Sequence, residues 1–167
     1  MNAILWDYRL PLYGDHGIAH WARVRDIGLK LAPLTGADTL VVELFSVFHD
    51  SRRVNENTDV GHGLRGAELM RQLRDSFFNV TNDQFRLLYD ACALHTDGLT
   101  EGEVTVQTCW DSDRLDLMRV GITPETQYLC TDAAKEPEMI DWACERAFKG
   151  FRPAVASQWE KSLLQKT

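Results

Sequence analysis

The stretch DTLVVELFSVFHD, from Asp38 to Asp50, decides the fold. Val41, Leu44, Phe45 and Phe48 recur at helical spacing, so one face of the segment is continuously apolar. Asp38 offers the short acceptor side chain that favours a helix start. His49 and Asp50 close the stripe with two polar groups where an apolar face would otherwise continue. Upstream, Ile18 to about Ala32 repeats the pattern, with His20, Val24, Ile27 and Leu31 on one face and Pro33 just past the expected end. Downstream, a polar loop from Ser51 to Gly61 leads into a helix expected over about His62–Phe78, with Leu69 and Leu73 inward. Thr81 is placed to cap a fourth helix that runs through Phe85, Leu88 and Cys92 to His95. A loop from Thr96 to Val106 follows, then a fifth helix over roughly Trp110–Val120, ended by Gly121-Ile-Thr-Pro124. One more helix is expected near Glu136–Phe148, and a short one near the C-terminus. Val104–Gln107 alternates too weakly to build a sheet. No proline falls between Pro33 and Pro124. The expected class is all-α, a compact antiparallel helical bundle with short connections.

The chain has 167 residues, the size of one domain, so residues 1–167 are read as a single unit. The informative core covers about 16–120, and 121–167 supplies C-terminal helices. With 18 basic and 25 acidic residues the net charge is −7, which argues against a nucleic-acid polymer as partner. No apolar run approaches a membrane span, and the first residues, with Asp7 among them, do not read as a secretory signal. Cys92, Cys109, Cys130 and Cys144 form no Cys-x-x-Cys pair and match no zinc spacing. They read as reduced thiols, and the expected location is cytoplasmic.

The histidines carry the chemistry. His20 lies near the start of its helix, His49 at an end, His62 at a start, His95 at an end, and Asp113 near the expected start of the fifth helix. Neighbouring helices joined by short loops run antiparallel, so these positions converge on one end of the bundle, with Asp50 beside them. Imidazoles and carboxylates gathered at an apolar core are costly unless a cation compensates them. That donor set suits divalent metals: iron, manganese, nickel, cobalt or zinc.

The order of these residues resembles the HD superfamily of metal-dependent phosphohydrolases. The matching elements are His20-Trp-Ala-Arg23-Val24, Phe48-His49-Asp50, and Asp111-Ser-Asp113-Arg114-Leu115-Asp116, in that order. His62 and His95 match the additional histidines of its two-metal branch. The resemblance implies an HD-type helical fold with one or two divalent ions, magnesium being a further candidate. His20, His49, Asp50 and Asp113 would hold the first metal, and Asp50 would bridge to a second on His62 and His95. It implies hydrolysis of a small phosphate ester, such as a nucleotide, by a metal-activated hydroxide. Asp50, Arg52 and Arg53 are then the catalytic candidates. Arg52, Arg53, Asn55 and His16 are the substrate-binding ones, since an arginine on the loop after the doublet clamps phosphate bidentately. Arg23 is expected to pair with an acid near the site. Asp111 and Asp116 are expected to be solvated or to support the ligands, and Thr96–Thr100 to serve as a lid or a plain connection. The Gly-Tyr-Pro motif of the cyclic-dinucleotide hydrolases is absent, which disfavours that substrate. The same ligand set also fits a mixed-valence diiron oxygenase of the superfamily. A nucleotide sensor without turnover is a third reading, which the intact ligand set disfavours.

Overall fold

Asp38 caps the central helix as its chemistry requires: its Oδ1 accepts from the backbone N–H of Leu40 at 2.9 Å and of Val41 at 3.2 Å. In the computed structural model, which describes the backbone of residues 1–164 and the side chains of 1–162, nine α-helices follow one another. They are α1 (Asn2–Leu5), α2 (Ile18–Thr35), α3 (Thr39–Phe48), α4 (His62–Leu73), α5 (Asn82–Leu94), α6 (Val104–Arg114), α7 (Asp132–Lys135), α8 (Pro137–Phe148) and α9 (Ala154–Leu164). Short 3₁₀ turns cover Leu117–Val120 and Thr126–Tyr128. Among the described residues there is no β-strand, only an isolated bridge between Arg74 and Phe78. The fold is all-α, and no described helix is long and apolar enough to cross a membrane.

The stripes read from sequence face the core. Val24, Val41, Phe45, Phe48, Met70, Leu88 and Trp110 are buried in the main cluster, where α2, α3, α4, α5 and α6 meet. A smaller cluster of Ile27, Leu31, Leu115, Leu129, Met139 and Ala143 joins α8 to the outer face of α2. Thr81 caps α5 in a capping box with Gln84. All four cysteines are unpaired.

Three boundaries differ from expectation, each for a local reason. Helix α2 continues through Pro33 to Thr35. The N–H that Pro33 lacks is lost only in the last turn, and Gly36, at φ 80°, closes the helix by donating to the Ala32 carbonyl. Helix α4 stops at Leu73 instead of Phe78, because Asp75 turns into the left-handed region (φ 65°) and its N–H bonds the Phe78 carbonyl at 2.9 Å. Helix α6 begins at Val104, in the segment expected to be loop, and ends at Arg114. Glu103 caps it by accepting from Thr105 N–H at 2.7 Å. The run Val-Thr-Val-Gln-Thr hid that helix because its inward groups include the buried threonines Thr105 and Thr108.

The last shift changes the topology. The Gln84 amide reaches the Asp38 carboxylate at 2.8 Å, and the Asp38 N–H reaches the Thr105 hydroxyl at 3.2 Å. Helices α5 and α6 therefore start at the same end of the bundle and run parallel. The segment between them returns the chain along α6, tied by Gln107 to the Thr100 carbonyl and by Arg114 to the Leu99 carbonyl. Asp113 thus reaches the histidine end of the bundle from the C-terminal end of α6, not from a helix start.

Candidate metal centre

His20 projects from the first turn of α2, His49 caps the end of α3, His62 opens α4 and His95 caps the end of α5. All are buried, at 0 to 6 % exposure, and Asp50 between them is 2 % exposed. Tight turns hold Asp50 there: Ser51 N–H bonds the Phe48 carbonyl and Arg53 N–H bonds the Asp50 carbonyl.

The Nδ1 of each ring is committed outward. His49 Nδ1 meets the Phe45 carbonyl at 3.1 Å, His62 Nδ1 the Asp59 carbonyl at 2.7 Å, and His95 Nδ1 the Cys92 carbonyl at 2.8 Å. A carbonyl only accepts, so each of these Nδ1 atoms carries the proton. His20 Nδ1 meets the Asp116 carboxylate at 2.8 Å, which imposes the same tautomer. In the neutral rings every Nε2 lone pair then points inward.

Inward, the acceptors crowd one another. His20 Nε2 lies 3.1 Å from His49 Nε2, 3.5 Å from Asp50 Oδ2 and 3.4 Å from Asp113 Oδ1. His49 Nε2 lies 3.6 Å from Asp50 Oδ2 and 3.8 Å from Asp113 Oδ1. On the other side of Asp50, His62 Nε2 is 3.1 Å and His95 Nε2 3.7 Å from Oδ1, with the two nitrogens 2.9 Å apart. Asp50 Oδ1 and Asp113 Oδ1 are buried with no hydrogen-bond partner. Buried acceptors facing acceptors are unfavourable without a cation among them. The shorter separations are close to the roughly 3.0–3.4 Å expected between ligands about 2.1 Å from a common ion, and the others are somewhat wider. The residues form two groups that could hold a metal ion, His20–His49–Asp50 and Asp50–His62–His95, and Asp50 belongs to both.

The charge states of His49, Asp50 and Asp113 are those ligation needs, while His95 leans toward its protonated form. Burial pushes His49 down to about 3, which keeps it neutral at physiological pH. Burial alone would raise Asp50, but His49, His20, His62 and His95 around it hold its carboxyl well below the usual range. Asp113, where burial also opposes ionisation, is held at about 2 by His49, His20 and Arg119. His95 is raised, because Asp50 and Asp113 outweigh its burial.

A cleft of about 410 Å³ opens over this cluster. Asp50, His95 and Asp113 face it, together with His16, Arg53 and Arg119. Thr96 and Gly98 line it from the segment before α6, and Leu117, Ile122, Pro124 and Tyr128 form an apolar wall. His16 pairs through Nδ1 with Glu56, and burial lowers its pKa. Arg53 Nη1 donates to His62 Nε2 at 3.1 Å, and its Nη2 donates to the Asn57 carbonyl at 2.6 Å. Arg52 is placed elsewhere. Its guanidinium donates to the carbonyls of Ile4 and Ser51, both at 2.8 Å, and it is not among the cleft-lining residues. Asn55 is also outside the lining and shapes the loop instead, its Oδ1 accepting from Asn57 N–H at 2.8 Å.

The acid expected to pair with Arg23 is Asp116, at 2.7 and 3.0 Å. Asp111 and Asp116 are wholly buried, so both support the structure and neither is solvated. Asp111 accepts from Cys130 N–H, Thr131 N–H and the Thr131 hydroxyl, which anchors the C-terminal segment. Sequence pattern alone does not single out Arg119 or Glu56. For Arg119 a signal existed, since it lies one helical turn after Asp116 and on the same side as that acid.

Compared with protein-family models, curated proteins and solved structures, the chain gives no match.

Proposed function

We propose that the chain is a metal-dependent phosphohydrolase of the HD type, acting on a small phosphate ester such as a nucleotide. The observation that carries this reading is a single carboxylate, Asp50, shared between two histidine pairs on the floor of a cleft that also presents Arg53. Divalent ions on such ligands supply Lewis-acid stabilisation and lower the pKa of water. The protein's own groups do the rest. The four outward Nδ1 bonds fix the ring tautomers and orient the ligands. Asp50 and Asp113 supply negative charge that favours cations in a net acidic chain. Arg53 Nη1 and a metal compete for the same His62 lone pair, so metal binding there leaves that donor for an anion in the cleft. The apolar wall from Leu117 to Tyr128 suits the organic part of an ester and limits water access.

The test is to purify the protein, quantify bound metal by elemental analysis, and screen phosphate esters with Mn²⁺, Co²⁺ or Ni²⁺. Phosphate release that disappears in the His49→Ala/Asp50→Ala double variant, along with metal content, is the expected result. Unchanged metal content in that variant refutes the ligand assignment. Oxygen uptake by an iron-loaded sample, with no phosphate released, refutes hydrolysis in favour of an oxygenase.

A further inference from the structure

Arg119 is an unusual cation. Its side chain is 7 % exposed, yet its nearest carboxylate oxygen, Asp116 Oδ2, is 3.9 Å away. That carboxylate is already committed, because it accepts from Arg23 on both oxygens and from His20 Nδ1. Arg119 instead spends Nε on the Asp15 carbonyl at 2.9 Å and Nη1 on the Asp116 carbonyl at 3.2 Å. Among the described residues its Nη2 makes no hydrogen bond, and the side chain lines the cleft beside Asp113. A nearly buried guanidinium held by neutral carbonyls, which shares its nearest carboxylate with Arg23 and His20, has capacity left for an anion.

Arg53 repeats the design on the other side. Its side chain is 10 % exposed, it donates to the carbonyls of Asn55 and Asn57, and its nearest carboxylate oxygen is Asp50 Oδ1 at 3.6 Å. Arg119 lies toward Asp113 and Arg53 toward His62, with His16 influenced by the charges of both. The cluster of ligands lies beneath them, so the cleft offers a guanidinium on each side of it.

We propose that Arg119 is the specificity-determining residue of the cleft: with Arg53 it seats a dianionic phosphomonoester, in preference to a monoanionic diester. A monoester carries two charges and three unesterified oxygens, enough to serve two guanidiniums while facing the cluster below. A diester has two such oxygens and one charge, and cannot satisfy both arms as well. The alcohol of the ester then lies along Leu117, Ile122, Pro124 and Tyr128. This rests on the phosphohydrolase reading for turnover, but not for anion binding.

The experiment uses the full chain loaded with Mn²⁺ and two neutral variants, Arg119→Met and Arg119→Gln. The glutamine variant keeps a donor for the Asp15 carbonyl and guards against misfolding of the first. Metal content and the far-UV spectrum are measured alongside. Inorganic phosphate binding, followed by calorimetry, is expected to weaken at least about tenfold in both variants with metal content unchanged, the scale of a charge-assisted hydrogen bond lost from a buried site. With p-nitrophenyl phosphate and bis(p-nitrophenyl) phosphate as substrates, KM for the monoester rises while that for the diester moves little. Phosphate affinity within twofold of wild type in a folded, metal-loaded variant overturns the proposal. So does an equal KM change for both esters. If the wild type binds phosphate through Arg119 but hydrolyses neither ester, the seat stands and the phosphohydrolase reading fails.

Discussion

The two halves of the histidine cluster are built differently. His62 and His95 are oriented by carbonyls three residues before them, Asp59 and Cys92, so their geometry is set within their own turns. His20 is oriented by Asp116, 96 positions along the chain, and Asp116 is held in turn by Arg23. The first half therefore exists only when α2 and the segment after α6 have docked. The second needs α4 packed on α5, with Asp50 supplied by the turn after α3. One half reports on tertiary closure, the other on a local helix pair, and perturbations should separate them.

Removing Asp116 is the largest expected break. Asp116→Ala leaves Arg23 buried without its partner and frees the His20 ring, at a cost of about 3–5 kcal/mol. For a domain of this size that lowers Tm by roughly 6–20 °C. Thermal unfolding of the metal-free protein measures the loss. Isotopic metal titration should show that sites involving His20 weaken while the His62–His95 half still binds. A Tm within a degree of wild type would show that the brace contributes nothing.

Next in size is Gly63→Ala, aimed at the other half. Gly63 lets α4 approach α5 closely: a Cβ there would press into the Cys92 carbonyl and stand 2.8 Å from His95 Nδ1. Both belong to the bond that orients His95. The overpacking costs about 1–3 kcal/mol, seen as a lower urea midpoint. Metal bound at His62–His95 weakens, while the His20–His49 half keeps its affinity. Equal weakening of both halves would mean that the cluster moves as one unit and that the local-versus-tertiary contrast is false.

The same contrast explains what the sequence makes legible. His49 and Asp50 end an apolar stripe whose period is helical, and Thr81 heads a capping box, so α3 and α5 follow from neighbours in the chain. The locally oriented histidines His62 and His95 follow with them. Asp113 is located correctly only in part. Its own side chain is near His20 and His49, but its helix starts earlier and runs parallel to α5, because the threonine-rich start of α6 disguises an inward face. The role of Asp116 depends on long-range docking, for which local periodicity has no signal, and for Arg119 the sequence offers only its spacing from Asp116. Arg52 and Arg53 are adjacent and chemically identical. Only the turn after Asp50 sends one to the cleft and the other to the Ile4 carbonyl.

The smallest stability effect is expected from removing one of the clustered histidines itself. His62 Nε2 stands 2.9 Å from His95 Nε2 and 3.1 Å from Asp50 Oδ1, acceptors that repel unless a cation joins them. His62→Ala therefore removes an unfavourable contact as well as packing, and metal-free Tm should stay within a few degrees of wild type, about 1 kcal/mol in either direction. Added metal should then separate the proteins. Wild type gains stability by mass action at both halves, and the variant gains only what the His20–His49 half supplies. Thermal scans with and without Mn²⁺ measure the difference. A large loss of stability without metal, and an unchanged gain with it, would make His62 a packing residue. The expected pattern is the reverse, a residue whose cost to the empty fold is recovered only when a cation binds.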